Sequence, residues 1–208
     1  MKNLMKISFV LAAFFICLNV SAQNEQLSFG VKAGINISNL YSSGDGESES
    51  ADYKIGPTVG LTVDYRLAES LYLLSGLEFS VKGAKESIED YKASANMMYL
   101  QLPIHAAYKI DLSDNMKFVV DAGPFLAFGL GGKVKVDEDD FSVSMDIFGK
   151  EEDGGAKRLD YGIGVGLGLE VEKIKVGVSY DLGLANINWD SDYKTKTRSA
   201  YITVGYRF

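Results

Sequence analysis

The sequence predicts an all-β fold, a transmembrane eight-stranded antiparallel up-and-down β-barrel, on three observations. Eight segments alternate apolar and polar side chains over about the nine to eleven residues that a tilted strand needs to cross a bilayer. The connections between them alternate long and short, and glycine falls on the polar face. A content of 22 glycines and 12 tyrosines against 3 prolines suits strands better than helices.

Before the first strand, Lys2 and Lys6 precede an apolar run from Ile7 to Val20 and the small-residue site Val20-Ser21-Ala22. Residues 1–22 are therefore expected to be a cleaved signal peptide, with residues 23–208 forming the barrel domain. A lipid anchor on Cys17 is the weaker alternative, because Phe14-Phe15-Ile16 lacks the small residues such a site needs. Cleavage removes Cys17, the only cysteine, and with it disulfide chemistry. Loss of the two lysines takes the formal net charge from -7 to about -9, which disfavours nucleic acid as a partner.

The first segment, 27–36, sets Leu27, Phe29, Val31, Ala33 and Ile35 against Ser28, Gly30, Lys32, Gly34 and Asn36. The second, 55–66, opposes Ile55, Val59, Leu61, Val63 and Tyr65 to Gly56, Thr58, Gly60, Thr62, Asp64 and Arg66. In 71–82 the apolar face is Leu71, Leu73, Leu77, Phe79 and Val81, and Tyr72, Gly76, Glu78, Ser80 and Lys82 oppose it. In 98–109, Met98, Leu100, Leu102, Ile104, Ala106 and Tyr108 stand opposite Tyr99, Gln101, Pro103, His105 and Lys109. The pattern continues through 117–128, 159–170, 174–182 and 198–208, and in 159–170 the polar face is Asp160, Gly162, Gly164, Gly166, Gly168 and Glu170. Segment 133–150 also alternates, but Lys133 to Val136 is too short to cross and a span of Phe141 to Phe148 alone would put Phe208 on the wrong side; it is expected to be a hairpin above the membrane.

The connections 37–54, 83–97, 129–158 and 183–197 are long, and 67–70, 110–116 and 171–173 are short. Long loops at one end and short turns at the other are the layout of an outer-membrane barrel. Both termini then lie at the short-turn, periplasmic end. The chain's last residues must pair with the first and seventh strands, because an open edge in hydrocarbon leaves backbone groups unsatisfied at several kcal/mol each.

Alternation alone does not say which face points inward, and glycine decides it. A narrow barrel holds few side chains, so the glycine face belongs inside and the bulky face meets lipid. A soluble, lipocalin-type barrel would need the reverse. Two aromatic belts are expected where the outer face meets the interfaces. Phe29, Tyr65, Tyr108, Phe118, Tyr206 and Phe208 form one, near the termini, and Phe79, Phe128, Tyr161 and Tyr180 form the other.

The stretches "YLQLPIHAAYKI" (99–110), "DAGPFLAFGL" (121–130), "DYGIGVGLGLE" (160–170) and "YDLGLANI" (180–187) resemble, in order and spacing, the PorT-like outer-membrane β-barrel family of Bacteroidetes. The resemblance implies an eight-stranded barrel of unassigned activity with no catalytic set or cofactor. The family's namesake is associated with type IX secretion and gliding. The aromatic terminal strand also resembles the signal read by the barrel-assembly machinery.

The expected lumen network comprises Lys32, Asp64, Arg66, Glu78, Lys82, His105, Lys109, Asp121, Asp160, Glu170, Asp181 and Arg207. Charges of both signs inside a narrow barrel call for mutual pairing, which gives a plugged lumen in preference to a small-solute channel. His105, the sole histidine, has Ser80 and Ser179 as conceivable nucleophiles and Asp121 or Glu78 as conceivable orienting partners. A satisfied place in the network is the expectation for it, so neither an enzyme nor a resident metal is expected. The acidic runs 44–50, 137–140 and 151–155 lack the positional order of a calcium loop. Expected partners are outer-membrane lipid and lipopolysaccharide, the assembly machinery, and a protein at the loops.

Overall fold

The computed structural model describes residues 26–44, 47–88, 91–138, 141–149, 155–190 and 193–208. The expected signal peptide, and most of the acidic runs 137–140 and 151–155, lie outside the described residues or side chains. The strands are β1 (Leu27–Gly44), β2 (Glu47–Ser50), β3 (Asp52–Arg66), β4 (Leu71–Ile88), β5 (Tyr91–Ser113), β6 (Met116–Glu138), β7 (Phe141–Asp146), β8 (Leu159–Val171), β9 (Ile174–Gly183) and β10 (Lys194–Arg207).

Eight of these close a ring in the order β1-β3-β4-β5-β6-β8-β9-β10, and β10 pairs back onto β1. Every ring pairing is antiparallel. β2 folds back on β1, and β7 on β6, outside the ring. The chain end is held on both sides: the Arg207 amide donates to Lys173 and the Phe208 amide to the carbonyl of Phe29. Closure therefore leaves the ring no edge.

Burial alternates with the period of a strand. Along β8, Tyr161, Ile163, Val165 and Leu167 are exposed while Asp160, Gly162, Gly164 and Gly166 are buried. The same inversion of a soluble fold holds around the ring: exposed Leu102, Ile104, Leu126, Val178 and Ile202 contrast with buried Lys82, Lys109 and Asp181. The glycine face is the inner face.

The long connections differ from expectation. β1 runs to Gly44, and β4 and β5 stay paired to Ile88 and Tyr91, so 37–54 and 83–97, read as loops, are mostly ladder, whereas β6 continuing to Glu138 with β7 against it is the hairpin expected in 133–150. Beyond the bilayer neither face has to be apolar, so the alternation fades although the hydrogen bonds continue. The short turns lie where expected, at 67–70, 114–115 and 172–173.

Candidate functional site in the barrel lumen

The lumen divides into two halves. At the loop end the inward positions of β5 and β6 are apolar, and Met97, Tyr99, Phe125, Ala127, Phe148 and Ile187 form one buried cluster. Phe148 belongs to the segment after β7. It enters because Gly129 lacks a side chain: a Cβ there would lie 2.4 Å from the ring. The Arg158 guanidinium lies 5.4 Å from the centre of the Phe148 ring and donates to the Gly129 carbonyl at 2.8 Å. Ile187 is positioned by a turn in which Asn186 Oδ1 accepts from the amides of Asn188 and Thr195. Tyr99 and Phe148 meet edge to face at 5.6 Å.

Just below the plug, Lys82 is 1% exposed and departs from the expected pairing with a carboxylate. Its ammonium donates to Gln101 Oε1 at 2.8 Å, and Gln101 Nε2 donates to Asp181 at 2.7 Å. The rings of Tyr99, Phe125 and Tyr201 surround it at 5.5, 5.1 and 6.0 Å. Cation–π contact and an amide relay stand in for the ion pair. Asp160, fully buried, accepts from Thr197 at 2.6 Å.

Toward the termini the pairing is direct. Lys109 bridges Asp64 at 2.7 Å and Glu170 at 2.8 Å and lies 4.4 Å over the Tyr72 ring. Lys32 pairs with Glu78 at 2.6 Å, and Arg207 reaches Glu170 at 3.7 Å. Arg66 stands at the same end on β3, half-buried. Of these groups Lys32, Asp64, Glu78, Glu170 and Arg207 line a cavity of about 130 Å³ that runs from Ser28, Lys173 and Arg207 at the terminal mouth to Gln101 and Tyr201 at its depth.

His105 lies in this cavity's wall. Its Nδ1 is 2.7 Å from Asp121 Oδ1, while its Nε2 is buried without a hydrogen-bond partner. Gly164 makes room for it, since a Cβ there would come within 2.9 Å of Nε2. Ser80 instead accepts a hydrogen bond from Asn36 at 3.2 Å, so the histidine has an orienting carboxylate and no nucleophile in hydrogen-bond reach. Among the described residues no group of three or more His, Cys, Asp or Glu is placed to hold a metal ion.

Of the expected aromatic belts, Tyr65, Tyr108, Tyr206 and Phe208 at the terminal end are exposed, as are Phe128, Tyr161 and Tyr180 at the loop end. Phe29, Phe79 and Phe118 are half-buried against neighbouring side chains of the outer face. The sequence placed Gln101 on the inner face without revealing its relay, and it gave Phe148 and Ile187 no role. Phe148 lies at the end of the alternating segment 133–150, read as a hairpin, and Ile187 in the connection 183–197; only the glycine at 129, facing Phe148, hints at a close approach.

The fold is similar to solved outer-membrane barrels. The attachment invasion locus protein Ail of Yersinia pestis, solved with a heparin analogue, is 16% identical, with 88% of this chain and 99% of Ail covered and a TM-score of 0.44. Neisserial surface protein A is 16% identical over 88% and 98% of the two chains, with a TM-score of 0.46. OprG from Pseudomonas aeruginosa is 15% identical over 87% and 95%, with a TM-score of 0.47. No curated protein matches the sequence. The model of the outer membrane protein beta-barrel domain matches residues 21–188. With that match over most of its length, on a closed ring of eight strands with its polar face inward, the chain belongs to the outer membrane protein beta-barrel domain family.

Proposed function

We propose that this integral outer-membrane barrel is a non-conducting, non-catalytic interaction protein that presents its loop-end hairpins outside the cell, with its termini in the periplasm. The observation that carries this reading is the buried apolar plug of Met97, Tyr99, Phe125, Ala127, Phe148 and Ile187. It stands between the terminal cavity and the loop end, leaving the cavity a dead end. A second feature supports display: β5 and β6 each have 23 residues, about twice what crosses a bilayer.

Reconstitution in planar bilayers tests the closed lumen. No unitary conductance is expected from the wild type, and a stable ohmic conductance would refute the reading. Photo-crosslinking in intact cells from Ser144 or Met145, both exposed on β7, tests the display: the reading requires adducts with an extracellular or surface partner. A place beside type IX secretion components rests on the sequence resemblance alone, and adducts with such components would establish it. For catalysis, His105→Ala is expected to leave the membrane lipid composition unchanged.

A further inference from the structure

The outward face of the sheet above the lipid band carries a cluster of lysines without an ion pair to any described carboxylate, in a chain of net charge -7. Lys85 on β4 and Lys135 on β6 both pair with Ser94 of β5, which sets the three side by side on one face. Lys54 joins them from β3. A register irregularity between Tyr53 and Thr58 lets its side chain cross Gly83, whose added Cβ would lie 3.1 Å from Lys54 Cδ. Its ammonium then donates to Ser94 Oγ at 2.6 Å.

Among the described residues, carboxylates are close in register without forming ion pairs. Asp52 pairs with Lys85 and Asp146 with the neighbouring Lys133. None of the four lysines forms an ion pair with a described carboxylate. Partial burial, followed by the charges of Lys85 and Lys135, holds Lys54 below the ordinary lysine range. Like charges held together this way oppose folding unless an anion sits among them.

The height of the cluster points to the anion. Lys85 is six residues beyond Phe79 on β4, roughly 20 Å of strand or about 14 Å of height at a tilt of ~45°. The outer surface leading up to it is apolar, with Ile55 64%, Leu130 49% and Met98 39% exposed. A ligand that fits both surfaces has acyl chains below and phosphates above.

We propose that the phosphorylated sugar headgroup of an outer-leaflet glycolipid docks on Lys54, Lys85 and Lys135 around Ser94, with its acyl chains along Ile55, Met98 and Leu130. This goes beyond the display reading and shares with it only the assignment of the loop end to the outer leaflet. The lipid-free protein is refolded in detergent micelles and titrated with diphosphoryl lipid A, dephosphorylated lipid A and inorganic phosphate. Micelles have no sidedness, so an error in orientation does not affect the result.

Diphosphoryl lipid A is expected to bind. The triple substitution Lys54→Gln, Lys85→Gln and Lys135→Gln is expected to weaken it at least tenfold, while the triple Arg variant retains it. Substituting Lys117, Lys173 and Lys194 with Gln is expected to change the affinity less than twofold. If the triple Gln variant does not fold, Lys54→Gln alone is expected to weaken binding several-fold. Unchanged affinity in the folded triple or single Gln variant, equal binding of dephosphorylated lipid A, or full competition by inorganic phosphate at micromolar concentration would each overturn the proposal.

Discussion

The two halves of the lumen obey the same alternation and solve it in different ways. At the loop end Lys82 makes no direct ion pair with a described carboxylate and lies among Tyr99, Phe125 and Tyr201, under a plug closed by Phe148. At the terminal end Lys109 holds Asp64 and Glu170 directly, beside a cavity open at its mouth. The difference lies in the solvent access of the partners, since Lys82 and Lys109 are both almost fully buried while Asp64 and Lys32 at the terminal end keep 16% and 25% of their side-chain surface exposed. Where water reaches part of the wall, full charges can be paired at modest cost. Where it does not, desolvation favours quadrupoles, amides and apolar contact.

The largest expected effect breaks the terminal half. Lys109→Met leaves Asp64 and Glu170 without their shared cation, and stability in lipid vesicles is expected to fall by about 3–5 kcal/mol in urea unfolding. A double substitution adding Asp64→Asn should recover part of that loss; no recovery would mean that packing, not charge, dominates there. In the loop half, Phe148→Ala removes a buried ring and is expected to cost about 3 kcal/mol. Combined with Tyr99→Ala it is expected to produce conductance that the wild type lacks, and a silent double variant would place the barrier elsewhere.

Between the halves, Gly162→Ala pushes a methyl against the Leu182 carbonyl and the Phe125 ring. A loss of about 1–3 kcal/mol is expected from this overpacking, read as a lower urea midpoint with an unchanged slope. The smallest effect lies at the terminal rim. Glu172, in the β8–β9 turn, has a φ of 53°, and Glu172→Gly is expected to stabilise by about 1 kcal/mol because a left-handed residue with a side chain is strained.

The strand faces were legible because lipid enforces them. From Leu159 to Val171 every outward residue is apolar, and the inward ones are glycine or charged. Segments 37–54 and 83–97 were legible only as polar connections, since past the bilayer the ladder persists without demanding a pattern. Within the lumen, parity placed Lys82, Gln101 and Asp181 on one face but could not join them: the chain Lys82–Gln101–Asp181 spans β4, β5 and β9. The plug was hidden for a related reason, because Phe148 and Ile187 enter from connections whose course depends on where the barrel leaves a gap.

Orientation of the faces is the central claim, and spin-label accessibility along β9 tests it most directly. With Cys17, the chain's only cysteine, replaced or cleaved away, single cysteines from Val176 to Leu182 can be labelled in lipid vesicles. Labels at Val176, Val178, Tyr180 and Leu182 are expected to collide readily with oxygen dissolved in lipid. Those at Gly177, Ser179 and Asp181 are expected to be shielded from it. High oxygen collision at the second set together with shielding of the first would contradict an inward polar face.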